Sequence, residues 1–179
     1  MASLTGRMLG AAKLDAATYE EVENDPGATP QAMLVVVIAN LAAGVAVVRE
    51  LGIVGLLVAS LISLIGWYAW AFVTYFVGTR FLPGAKTQAD VGQLLRTIGF
   101  SAAPGLIRVL GVIPVLDKPI TWIASVWMLV AMVVAVRQAL DYESTGRAVA
   151  VCVIGIVVNF VVLYVLAKLL GADVGMFGP

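Results

Sequence analysis

Long apolar runs, broken by short clusters of charged and turn-forming residues, dominate the pattern of this chain. A helix that crosses a membrane needs about 20 consecutive, mostly apolar residues. Five segments fit that length: about 31–48, 53–79, 95–116, 120–136 and 147–170. The first, QAMLVVVIANLAAGVAVV, follows Thr29-Pro30, which reads as an N-cap with proline at the first helical position, and it stops at Arg49-Glu50. The second is aromatic (GWYAWAFVTYF) and ends at Arg80 and the Leu82-Pro83-Gly84 turn. The third, LRTIGFSAAPGLIRVLGVIP, carries Pro104 and Arg108 inside an otherwise apolar run. The pattern predicts an all-α integral membrane protein. Residues 1–30 form a cytoplasmic N-terminal segment, and 31–179 a domain of five transmembrane helices.

The polar stretches between these runs predict shorter helices. LTGRMLGAAKL (4–14) groups Met8, Leu9 and Ala12 beside Arg7 and Lys13, which suits a short amphipathic helix in the headgroup layer. In DAATYEEVENDPGATP, Thr18 and Glu21 have the spacing of a capping box, and Asp25-Pro26-Gly27 closes that helix. Asp15, Glu20, Glu21, Glu23 and Asp25 make an acidic cluster. It either docks against cytoplasmic arginines, with Arg80, Arg96, Arg137 and Arg147 as candidates, or stays solvated. A second capping box, Thr87 with Asp90, precedes Val91, Leu94, Leu95 and Ile98, an i, i+3, i+4, i+7 stripe. This predicts a cytoplasmic amphipathic helix on the surface that feeds the third span, with a change of direction at Gly99 or Pro104.

Composition and charge sharpen the topology. The chain is 61% hydrophobic and 12% charged, with a mean hydropathy of +1.02. A soluble domain carries about 25% charged residues, so most of this surface faces lipid. With five spans and the N-terminus inside, Arg7, Lys13, Arg80, Lys86, Arg96, Arg137 and Arg147 lie on the cytoplasmic side and Arg49, Lys118 and Lys168 outside. That excess on one side is the positive-inside arrangement. Were the third segment only a surface helix, Arg137 and Arg147 would move outside and the excess would vanish. The expectation is a multi-pass protein of the plasma (inner) membrane with its C-terminus on the outer side. The net charge of zero gives no reason to expect nucleic acid as a partner. Histidine is absent and Cys152 is the one cysteine, which excludes disulfide frameworks and Cys/His metal sites within one chain.

Few residues remain that carry chemistry, and no hydrolase, phosphate-loop or dinucleotide signature is present. No cofactor is expected. Asn40 and Asn159 sit in apolar spans, where an amide needs an interhelical partner. Ser60, Ser63, Trp67, Trp70 and Thr74 recur at three- and four-residue spacing and form one packing face of the second span. Ala39, Ala43 and Gly44 give the first span a small-residue face. Trp122 reads as an interfacial anchor and Trp127 as a residue buried against its neighbours, while Cys152 reads as a small apolar residue. Arg108 is the exception: a charged side chain near mid-bilayer costs about 2.5–3.5 kcal/mol on insertion scales. It snorkels to the outer headgroups, holds an anionic group, or pairs with another chain. Asp117 lies about 13 Å along an unbent helix, too far for a direct bond, and Glu50 is a cross-helix alternative. Pro104 frees the Phe100 carbonyl and weakens the helix there, with Ser101 or water as a replacement partner.

These short motifs add up to a resemblance. GFSAAP at 99–104, Ile113-Pro114, ASVWMLVAMVVAVRQAL with the following DYESTGRAVAV, and RMLGAAKLDAATYEEVENDPGATPQA near the start resemble the Yip-domain family in its bacterial form. The resemblance covers nearly the whole chain and implies five membrane spans with a cytoplasmic N-terminus. Eukaryotic members are Golgi and endoplasmic-reticulum proteins linked to Rab GTPases. The aspartate-leucine-tyrosine-glycine-proline motif of those members is missing here, and the N-terminal region is short, so a Rab role is not implied. The resemblance supplies no catalytic residues.

The functional expectation is a non-enzymatic scaffold, assembly factor or accessory subunit that works through helix and lipid contacts. Its partners are the bilayer and another membrane protein or a second copy of itself. Pro104, Arg108, Arg96, Arg137 and Arg147 are the candidate lipid or partner contacts. The alternative is a small oligomeric transporter or channel that uses the Pro104/Arg108 region.

Overall fold

In the computed structural model, residues 3–169 are described, without the side chains of 45–51, 162, 163 and 165–169. Arg49, Glu50 and Lys168 therefore lie outside the described side chains, and the expected end of the last span at 170 lies outside the described residues. Among the described residues seven α-helices follow one another: α1 (Leu4–Ala12), α2 (Ala16–Asn24), α3 (Thr29–Ala43), α4 (Val45–Phe76), α5 (Val91–Phe100), α6 (Pro114–Ala139) and α7 (Thr145–Leu169). Four stretches are long and apolar enough to cross a membrane: Pro26–Ala43, Gly52–Phe81, Val91–Val112 and Pro114–Ala139. α7 is apolar over its described side chains, Thr145–Val161. The protein is a multi-pass membrane protein.

Local chemistry sets the helix ends, though not always at the residues the spacing marks. α2 starts at Asp15, whose carboxylate accepts the Ala17 N–H at 3.3 Å and the Thr18 hydroxyl at 2.7 Å. The expected Thr18–Glu21 box is displaced because Glu21 turns toward Arg7 instead. α3 has Ala28 at its N-cap, so Thr29 lies inside the helix rather than capping it. At α5 the capping box is Asp90 with Gln93, closed by bonds of 2.9 and 2.7 Å. Thr87 does a different job: its hydroxyl accepts the Gly84 N–H at 2.9 Å and donates to the Leu140 carbonyl at 2.7 Å. That tethers the 82–90 loop to the end of α6.

The first span stops earlier than its hydropathy implies. α3 ends at Ala43, and the chain turns at Gly44. The helix breaks again at Gly52, whose φ of 63° and ψ of −170° no residue with a β-carbon adopts readily. From Gly52 the long helix runs unbroken to Phe76 and ends in a π-helical turn, Val77–Phe81. The third segment is two elements. α5 passes through a turn at Ser101 and Ala102 into a 3-10 helix, Ala103–Val112, that contains Pro104 near its start. The Ser101 hydroxyl donates to the Ile98 carbonyl at 2.7 Å, not to that of Phe100.

The expected surface position of α5 is overturned. Leu94 through Phe100 are all buried, because α2, α3, α4 and α6 enclose this helix. One buried core joins α4, α5, α6 and α7 around Ala71, Leu94, Val136, Leu140 and Val151. A second lies beneath the α1–α2 hairpin, around Tyr19, Val22, Val35, Phe100 and Ala135. The two cores make the N-terminal hairpin an integral layer of the fold. Gly99 marks the tightest approach: a β-carbon there would stand 2.7 Å from the Ala32 β-carbon and 3.2 Å from the Ala32 backbone.

Candidate functional site

A cavity of about 240 Å³ lies between α3, α4, the third segment and α6. It gathers several polar residues that the apolar spans carry. The Asn40 amide of α3 donates to the Val36 carbonyl at 2.9 Å and to the Ser63 hydroxyl of α4. Trp67 spends its indole N–H on the Leu95 carbonyl at 3.1 Å. Trp70 packs its ring against Gly155 of α7, and its indole nitrogen is buried without a partner. Ser60 only bonds back within α4, to the Leu56 carbonyl, and half-buried Asn159 lies outside the cavity lining.

Arg108 reaches this cavity from the 3-10 helix. Its Nη2 donates to the Ser125 hydroxyl at 3.0 Å, and Ser125 donates onward to the Thr121 carbonyl at 2.7 Å. Ser125 is an exposed residue eleven positions into α6, so this bond ties the 3-10 helix to the surface of α6. The Arg108 Nε is buried with no hydrogen-bond partner. Among the described residues no carboxylate pairs with it, Asp117 included. A buried N–H that gave up water without replacement costs about 1–3 kcal/mol, more when charged. Pro104 is buried at the start of the same 3-10 helix.

The remaining arginines act on the loops between helices and on the hairpin. Arg137 donates to the Tyr142 carbonyl at 3.2 Å and to the Thr145 hydroxyl at 3.3 Å, closing the α6–α7 turn. Arg147 donates to the Pro83 carbonyl at 2.9 Å. Arg96 receives the acidic helix, but through its backbone: the guanidinium donates to the carbonyls of Val22 and Glu23 at 3.0 Å each from Nε. The carboxylates of Glu21 and Asp25 go instead to Arg7, with contacts of 2.7 and 2.6 Å, while Gln31 takes a third Arg7 donor at 3.0 Å. Arg7 is 2% exposed, so it does not face headgroups. Charge counting placed Arg7 among the cytoplasmic cations without marking it as the partner. Its fourteen-residue separation from Glu21 is a hairpin contact that no helix periodicity reveals. Trp127 is not buried either: it is partly exposed, and its indole N–H holds the Ala12 carbonyl at 2.7 Å. Trp122 is exposed, and Cys152 is buried in the α7 side of the core.

Glu23, one of the five acids of the cluster, titrates apart from the others. Burial, with Asp141, Glu20 and Asp90 nearby, pushes its carboxyl up to about 7, against the pull of Arg96. The folded state then holds a proton that the unfolded chain has already lost above pH 4.5. Stability from this group is complete below that pH and falls as pH rises toward 7. Asp25 runs the other way: the hydrogen bond from Arg7 lowers it, so its contribution fades only in strong acid. The hairpin should therefore dock more firmly at pH 5 than at pH 8, by about 1–2 kcal/mol. Glu23→Gln should remove that slope, as read by hydrogen exchange of residues 16–28. An unchanged slope in the variant would assign it elsewhere.

No curated protein matches the chain, and no solved structure does. A family model, that of the Yip1 domain, matches residues 16–173, from the first residue of α2 to beyond the described part of α7. With that match across most of its length and an all-helical, multi-pass architecture, the chain belongs to the Yip1 domain family.

Proposed function

We propose that this protein is a non-enzymatic membrane scaffold, an assembly factor or accessory subunit, that works by presenting helix faces to lipid and to a partner membrane protein. One observation carries this reading. In the most apolar window of Gly52–Phe81 only 6% of the residues are buried, and Ile53, Val54, Leu57, Leu61 and Ile65 stand exposed along it. In a bilayer that surface meets acyl chains or another helix, and it is apolar apart from the exposed Tyr68. In this reading α7 makes the fifth crossing of the plasma (inner) membrane. The N-terminal hairpin then lies in the cytoplasm and the C-terminus outside, with Arg80, Arg137 and Arg147 on the inner face. Arg108, Pro104 and Arg96 are contacts to lipid or within the hairpin.

Mild detergent extraction followed by identification of co-purifying proteins tests the proposal. A stoichiometric membrane partner, lost when Leu57 and Leu61 are replaced by tryptophan, is the expected result. A monodisperse protein without any partner, unaltered by those changes, overturns it. The second reading, a small transporter or channel, draws on the break between α5 and the 3-10 helix beside Pro104 and Arg108. Interrupted helices mark transport sites, usually in paired inverted repeats, and no second proline-arginine pair occurs in the sequence. Arg108-dependent flux in liposomes would move the assignment to that reading.

A further inference from the structure

We infer that the groove between the end of α4 and the start of α7 seats one acyl chain of an anionic phospholipid, whose phosphate meets Arg80 and Arg147 at the groove's end. The inference rests on the lipid-contact half of the function proposed above and names the lipid class. The groove has a volume of about 390 Å³. Phe72, Phe76, Phe81 and Leu82 form one wall, and Ile154 and Val158 the other. Phe76 and Phe81 meet edge to face with ring centroids 5.6 Å apart. The wide π-helical turn between them closes through the Leu82 N–H on the Val77 carbonyl at 3.0 Å. A helix about 10 Å across would fill the groove within about one turn, so the space suits a single flexible chain better than a partner helix.

Hydrocarbon surroundings give such a groove little preference among apolar occupants, so selection falls to its end. The apolar stretch that carries Phe72 and Phe76 stops at Phe81, and α7 begins at Thr145. That end therefore lies at the boundary between membrane and water, at the level of lipid phosphates. Arg147 precedes Ile154 by seven residues and Val158 by eleven, which puts all three on one stripe of α7. Its guanidinium donates to the Pro83 carbonyl at 2.9 Å, next to Leu82 of the facing wall. Arg80 lies in the same π-helical turn as Phe81 and is exposed. Among the described residues no carboxylate pairs with either arginine: Glu143 goes to Lys86 at 3.0 Å, and Asp141 makes no ion pair. Two such guanidinium groups beside an apolar groove fit a phosphate carried on an acyl chain, because its oxygens match their planar forks. In the orientation proposed above this end faces the inner leaflet, whose anionic lipids attract clustered arginines.

The test uses the full chain in a non-ionic detergent, titrated with phosphatidylglycerol, phosphatidylcholine, diacylglycerol or inorganic phosphate. Native mass spectrometry reads occupancy, and thermal unfolding is followed in parallel. One phosphatidylglycerol should bind, and phosphatidylcholine, whose ammonium opposes the arginines, about tenfold more weakly. Diacylglycerol and inorganic phosphate should neither bind nor stabilise. Arg80→Gln should weaken phosphatidylglycerol binding about tenfold, and Arg80→Gln with Arg147→Gln about a hundredfold, as expected for losing one or two hydrogen bonds from a charged group. Ile154→Trp should weaken it as well by filling the groove. Arg80 and Ile154 are exposed, so the single variants should unfold at the wild-type temperature when lipid is absent. They separate loss of the site from loss of the fold. Equal phosphatidylglycerol binding by wild type and all variants overturns the proposal, as does equal binding of phosphatidylcholine or diacylglycerol. Arginine-dependent stabilisation by inorganic phosphate alone would assign the end of the groove to a free anion and overturn the lipid. Loss of a co-purifying protein in Ile154→Trp, with no lipid bound to the wild type, would make the groove a helix seat. If that protein stays bound in every variant while no lipid binds, the scaffold reading survives and only the lipid site falls.

Discussion

Replacing Arg96 with methionine will release the α1–α2 hairpin from the bundle and destabilise the protein by about 3–5 kcal/mol, the loss of hydrogen bonds from a charged donor to two buried carbonyls. Arg96 is 7% exposed, and its guanidinium donates to the Val22 and Glu23 carbonyls. Both carbonyls fall in the last turn of α2, where the helix leaves four C=O groups without intrahelical partners and concentrates the negative end of its dipole. Arg96 supplies donors and positive charge together at that point. Methionine keeps much of the volume but none of the donors, so the carbonyls would stay buried and unpaired. Lysine should recover only part of the loss, since a compact ammonium cannot reproduce the fork. Amide exchange across residues 16–28 should rise sharply in Arg96→Met while α6 stays protected. Unchanged exchange in that variant would show that the hairpin is held by its apolar contacts alone.

Gly99→Val should cost about 2–3 kcal/mol, the upper part of the usual range for overpacking a filled interior. The obstruction is main chain as well as side chain: the added β-carbon would meet Ala32 of α3 at its β-carbon and its backbone. A flexible side chain could turn aside, but the α3 backbone moves only if the helix does. Gly99→Ala should be milder, and Ala32→Gly should rescue it in part by removing the facing methyl. It should not rescue Gly99→Val, whose branches still press on the backbone. Thermal unfolding of the two singles and the double variant yields a coupling energy. Additivity would show that the two helices part freely at this point.

Much of the architecture is legible in hydropathy, because burial in lipid imposes long apolar runs that soluble packing does not. The four long apolar stretches and the breaks near 80–90 and 140–145 follow from that alone. Interior detail is less legible. Capping residues recur every few positions, and only the folded surroundings choose between Thr18 and Asp15, or between Thr87 and Asp90. The α5 stripe of Val91, Leu94, Leu95 and Ile98 looks amphipathic, yet its polar residues, Arg96 and Thr97, are buried as well. Arg96 there meets a helix end, a partner that carries no charge in the sequence. Of the two readings of the acidic cluster, docking or solvation, the helix docks on Arg96, one of the named arginines, but through the Val22 and Glu23 carbonyls; Arg7, fourteen residues from Glu21, takes the carboxylates. GFSAAP could be seen as a motif. Its reason, the approach of Gly99 to Ala32, joins positions 67 residues apart and exists only in three dimensions. Arg108 stands out because charge in an apolar run is costly, but its bond to Ser125 needs the α6 neighbour to be placed.

The hairpin's contacts also set a schedule for biogenesis. The Arg7–Glu21 pair spans 14 residues, so the hairpin can close on itself soon after it is made. Its anchors to the rest of the molecule come much later in the chain: Arg96 lies 73 residues from Glu23, and Trp127 lies 115 from Ala12. Contacts at such separation wait for the intervening segments. During synthesis at about 5–20 residues per second, several seconds pass in which a preformed hairpin waits for α5 and α6 to be inserted. Its seating is thus among the last events of assembly, and a seated hairpin marks a membrane domain whose central helices have already found their places.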